Sequence, residues 1–205
     1  MAAKSTIFQA GHPYNFHNYV DLPFEPEDIL QAFDYTLRHD TLDLAQGFVP
    51  PERCQELQYR ITRSLRSISL SSANARREVL VAPVLLEIAD FTEAQLRIDY
   101  PVKVSEQLQG TIDYYLYKAE KRVVVCHAHN SDLSKGFTQL AVQMIALNQW
   151  QPKETNLLGA ITAGDIWQFG VLHPASRLIW QDINLFRVPA DLPNLLQVVV
   201  AALLP

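Results

Sequence analysis

The chain has 205 residues, 48% of them apolar and 19% charged, with a net charge of −5. That is long enough for a domain with a full hydrophobic core and too ordinary in composition for a disordered chain. The acidic balance weighs against strong non-specific DNA binding, though it leaves room for a local basic face.

Residues 1–24 are rich in turn formers and aromatics and are expected to drape over the domain. Pro26 at a first helical position, followed by Glu27 and Asp28, predicts a short helix running to about Leu37. Pro51 and Glu52 open a second helix to about Ile68, with Cys54, Leu57, Ile61 and Leu65 on one face. Ser71 or Ser72 can cap a third, whose apolar face is Leu80, Val81, Val84, Leu85 and Ile88, with Pro83 lying inside it. The period then changes from that of a helix to that of a strand. Strands are expected at 94–104, Thr111–Tyr117 and Arg122–His127, with a charged turn at 118–121. The run Val123 to Val125 suits a central strand buried on both faces. A helix over 133–148, strands over 156–162 and 166–172, a short pairing strand at 178–180 and a helix over 193–204 complete the chain. Helices, three strands, a helix, two strands and a helix make an α/β fold: one domain with a mixed sheet flanked by helices.

The two cysteines, Cys54 and Cys126, have no metal-ligand spacing and offer no disulfide framework, which fits a cytoplasmic protein. The longest apolar stretch, Leu195–Leu204, is far too short to span a bilayer, so no membrane association is expected. P-loop, Gly-x-Gly-x-x-Gly and Gly-x-Ser-x-Gly signatures are absent from the sequence, which weakens the common nucleotide-cofactor and hydrolase readings.

Five segments carry a resemblance. They are 75–86 (ARREVLVAPVLL), 108–114 (LQGTIDY), 123–129 (VVVCHAH), 136–144 (GFTQLAVQM) and 159–169 (GAITAGDIWQF). In order and spacing they resemble the PD-(D/E)XK nuclease superfamily, most of all its members akin to the N-terminal nuclease domain of type I restriction subunits. The resemblance implies a restriction-endonuclease-like core over residues 71–205 behind a helical N-terminal extension. It implies that Asp113 stands where the family has a metal-ligating Asp, and Gln139 where a helix glutamine contacts phosphate or metal-bound water. Family members are often dimers, so a homodimer is an expectation of the same kind.

The resemblance breaks at the family's Glu-x-Lys. A gapless register places the Glu at His127 and the Lys at His129; a register one residue earlier places them at Cys126 and Ala128. Adjacent strand residues face opposite sides, so the two registers aim different pairs at the site. Imidazoles are poor Mg²⁺ ligands, and Asp113, His127 and His129 would instead suit a transition metal such as Zn²⁺, Mn²⁺, Fe²⁺ or Ni²⁺. The plainer expectation is that the site is degenerate, because a working centre needs three matched geometries and decay needs none. The protein would then act by binding a protein or nucleic-acid partner; the alternative is a metal-dependent nuclease or phosphodiesterase with an Asp-His-His site. Arg60, Arg63 and Arg66 form a basic stripe that could track phosphates, with a solvated charged face as the default. Glu78 is expected to be a solvated helix residue, and Trp167 and Phe169 to be core.

Overall fold

The protein is represented by a computed structural model that describes residues 7–8, 11–127 and 132–204. In chain order, a 3₁₀ turn at Phe16–Val20 leads to α1 (Pro26–Gln31), β1 (Thr36–Asp40), α2 (Pro51–Ser64) and α3 (Ala73–Arg76). A π-helical turn at Arg77–Val81 joins α3 to α4 (Ala82–Thr92). Then come β2 (Gln95–Lys103), β3 (Gln109–Lys118), β4 (Lys121–His127), α5 (Leu133–Trp150), β5 (Leu157–Thr162) and β6 (Ile166–His173). The last elements are β7 (Leu178–Asp182), β8 (Phe186–Arg187) and α6 (Leu192–Leu203).

The strands form one open mixed sheet in the order β1-β7-β6-β5-β4-β3-β2, with β8 beside β6. This is an α/β fold. The β2-β3-β4 meander is antiparallel, and the two-residue turn between Lys118 and Lys121 fixes the β3–β4 register. β4 and β5 run parallel, which demands a crossover, and α5 supplies it. Val123, Val124 and Val125 are fully buried, and every residue of β5 is buried, as the continuous apolar runs required.

The sheet separates two cores. On one face α5 packs with Phe16, Tyr19, Ile29 and Leu30 from the N-terminal segment. The draping expected of residues 1–24 is close packing at Phe16 and Tyr19, with Phe16 wholly inaccessible. On the other face Leu57 and Ile61 of α2, Val84, Leu85 and Ile88 of α4, and the apolar side of α6 cover Val123, Val125, Trp167 and Phe169. Trp167 and Phe169 are core, as their alternation suggested.

Two boundaries differ from the expectation. The first helix stops at Gln31, not near Leu37. Asp34 takes a left-handed backbone (φ 65°), and the next residues leave to pair as β1 with β7, where Leu37 is buried. α2 stops at Ser64, which leaves Arg66 beyond the helix. Pro83 marks a helix start, as one reading of its place inside the apolar pattern allows. It sits in the first turn of α4, and the wider π turn just before it absorbs the missing N–H. Ser72 is the cap, its side chain accepting from the Ala75 N–H at 3.1 Å.

Candidate functional site

The β3–β4 hairpin brings Asp113 beside Cys126. Its ladder pairs Tyr114 with Val125, and one step further along that register Asp113 lies beside Cys126. Cys126 is fully buried in the core beneath α5. Its thiol donates a hydrogen bond to the Asp113 carboxylate. Burial, and then the nearby negative charge of Asp113, push the Cys126 thiol well above its usual range. It is therefore a neutral S–H at neutral pH, a donor and not a thiolate ligand.

Around this pair the charges are already committed. β2 breaks its ladder at Asp99, which is in the left-handed region (φ 51°) between the Ile98–Tyr114 and Tyr100–Ile112 pairs. The Asp99 carboxylate accepts from Arg77 at 3.1 Å, and Arg77 also donates to the Tyr114 hydroxyl at 2.8 Å while lying over the Tyr114 ring. Burial raises the Tyr114 hydroxyl pKa despite Arg77, so the phenol keeps its proton. Arg76 donates to the backbone carbonyls of Leu70 and Ala163. Glu78 is exposed.

From α5, Gln139 is buried on the same side of the sheet as Cys126. One turn on, Gln143 is fully buried; its amide donates to the Thr111 carbonyl at 3.4 Å, and its Oε1 has no partner among the described residues. His127 ends β4, its backbone paired with Thr162 of β5, and its side chain is outside what the structure describes. His129 also lies outside the described residues. Among the described residues, no three His, Cys, Asp or Glu side chains gather into a metal-holding group.

No family model matches the chain, and no curated protein matches it.

The arginine stripe is on the wrong side of the sheet to serve Asp113. α2 packs against α4 and α6 on the face opposite α5. Arg60 reaches Glu87 at 3.4 Å, and Arg53 pairs with Glu87 and Asp90 at 2.8 and 2.9 Å. Arg63 and Arg66 are exposed. The cross-sheet separation follows from the amphipathic period of α2, which turns Leu57 and Ile61 inward and its arginines outward.

Sequence reasoning missed Asp99 and Gln143, and it placed Cys126 at the site in one of two registers. The turn held the signal for Cys126: counting five residues back from Lys118 and five forward from Lys121 arrives at Asp113 and Cys126. Nothing in the sequence marks the left-handed break at Asp99, beyond the tolerance of Asp for that conformation.

Proposed function

We propose that this chain is a nuclease-fold protein with a dismantled metal centre, working by binding a protein partner and not by cutting phosphodiesters. The single observation that carries the reading is the Asp113–Cys126 pair. A hard divalent ion such as Mg²⁺ needs oxygen donors, and the strand residue beside Asp113 offers a buried, protonated thiol. The run α4-β2-β3-β4-α5-β5, with an antiparallel meander followed by a parallel crossover strand, supports the family resemblance on which the reading rests.

A protein partner is favoured over nucleic acid because the basic residues are engaged at home. Arg53, Arg60, Arg76 and Arg77 each have partners within the fold, and the whole chain carries a net charge of −5. Phosphate tracking needs several free cations on one surface. Cytoplasmic residence and a homodimer belong to the same proposal. No helix among the described residues is long and apolar enough to cross a membrane.

The test is a cleavage assay on single- and double-stranded DNA and RNA with Mg²⁺, Mn²⁺ or Zn²⁺, paired with metal analysis of protein made without a histidine tag. The expected result is no cleavage and no bound metal. Cleavage that disappears in Asp113→Ala, or stoichiometric metal lost in both His127→Ala and His129→Ala, would overturn the reading in favour of an Asp-His-His enzyme.

A further inference from the structure

Near the β1 edge of the sheet, the segment between β1 and α2, the turn between β7 and β8 and the start of α6 line a groove of about 390 Å³. That volume suits a small ligand or a long side chain. The floor is apolar: Leu44, Phe186 and Val198 belong to the core on the α6 side of the sheet. The charges have one sign. Asp43, Asp182 and Asp191 line the groove, and no base among the described residues does. Ile179 packs in the core on the α5 side, so alternation along β7 places Asp182 on the α6 side, with the groove floor.

Asp182 is only 1% exposed. Its Oδ1 accepts from the Leu42 N–H at 3.3 Å, and from the backbone and side chain of Asn184 at 3.0 and 3.1 Å. Among the described residues every donor that meets this carboxylate meets that one oxygen, and no base comes within ion-pair distance. A buried carboxylate normally has a cationic partner. Two bases close by in sequence are engaged elsewhere: Arg187 pairs with Asp191 at 3.0 Å, and Arg38 lies over the Trp180 ring at 5.8 Å. Asp43 and Asp182 are therefore the charges that the fold leaves unbalanced here.

The lip of the groove supplies a second observation. Leu185, which lines it, is 50% exposed, and Ile183 in the same turn is 60% exposed. The turn is pinned by the Ile183 N–H donating to the Asp40 carbonyl at 3.0 Å and by the Asn184 bonds to Asp182. Large aliphatic side chains held outward on a pinned turn make a ready contact surface.

From this geometry we infer that the groove docks a basic, amphipathic segment of a protein partner. A lysine or arginine head meets Asp43 and Asp182, its methylene stem lies along Leu44 and Phe186, and a neighbouring apolar residue covers Leu185. Lysine and arginine are the side chains that join an apolar stem to a cationic head. The inference rests on the protein-partner part of the function proposed above, whose chemistry it names, and is independent of the state of the Asp113 site.

The test is a fluorescence-anisotropy titration of a labelled peptide of alternating lysine and leucine with the full chain, at low and at moderate salt. The expected result is saturable binding that weakens as salt rises. Asp43→Lys and Leu185→Ser, both at exposed positions, should each weaken it by about tenfold or more. Asp182→Asn should do the same, and Asp43→Lys carries the conclusion if that buried variant fails to fold. Glu106→Lys makes the same charge change between β2 and β3, at the opposite edge of the sheet, and should leave the affinity unchanged. Equal losses in Asp43→Lys and Glu106→Lys would reduce the binding to the net charge of the chain and overturn the site. Absence of saturable binding, or spermine binding as tightly as the peptide, would overturn it as well. Nuclease activity in the cleavage assay would remove the proposed function and leave this titration standing; a failed titration beside a silent cleavage assay would remove the groove alone.

Discussion

At Cys126 the chemistry of one side chain sets a measurable pH dependence. Its pKa in the unfolded chain is near the ordinary 9.0 and higher in the folded one. Below that value both states hold the proton and the contribution to stability is fully present. Above it the unfolded thiol ionises while the folded one does not, so folding stability falls as pH rises. Tyr19, Tyr35, Tyr114 and Tyr115 are also raised from 10.0, chiefly by burial, and extend the decline to higher pH. Urea unfolding between about pH 8 and pH 10 should show this slope, and Cys126→Ser should reduce its lower part while leaving the shares of Cys54 and of the tyrosines. A second expectation concerns reactivity. Cys54 and Cys126 are both buried with raised pKa values, so a thiol reagent at neutral pH should find neither in the folded protein and both in denaturant. A fast-reacting thiol in the native state would contradict the burial of this site.

Among the elements, α5 is held by an unusual seat. Gly159 of β5 and Gly170 of β6 are directly paired across the sheet, and a Cβ on either would meet α5. At Gly159 it would come within 2.4 Å of the Met144 sulfur; at Gly170 within 2.5 Å of the Phe137 ring and 2.9 Å of the Trp180 carbonyl. Methionine can swing aside, whereas a packed ring and a backbone oxygen cannot. Gly170→Ala should therefore lower stability by about 1–3 kcal/mol, more than Gly159→Ala, as read from denaturant midpoints. Most elements were legible in the sequence because their periods are clean. The 133–148 helix and the strands over 111–127 and 156–172 needed only apolar spacing. β1 was not legible, since Thr36-Leu-Arg-His-Asp40 reads as polar. Only its pairing with β7, distant in sequence, makes it a strand. The seat itself was hidden for the same reason, as two glycines eleven residues apart become one feature only through the β5–β6 register. The candidate site was half legible: Asp113 and Gln139 came from motif position, while Cys126 required the hairpin register and Asp99 a backbone conformation with no sequence marker.

For the molecule as a whole, the N-terminal residues are part of the fold's economy of burial. Phe16, Tyr19, Ile29 and Leu30 cover α5, and β1 completes one edge of the sheet. Removing residues 1–40 should expose a wide apolar face, giving dye binding and aggregates on size-exclusion chromatography. A well-behaved monomer or dimer from that truncation would show that the segment is dispensable.

The parallel pairing of β1 with β7 carries a consequence for biosynthesis. Thr36 must wait for Leu178 before its strand has a neighbour. At ribosomal speeds that interval is roughly ten to thirty seconds. During it Leu37 has no neighbouring strand, and Phe16 waits in its turn for α5. The nascent chain is thus exposed to misassociation longest at its beginning, where chaperone protection would matter most.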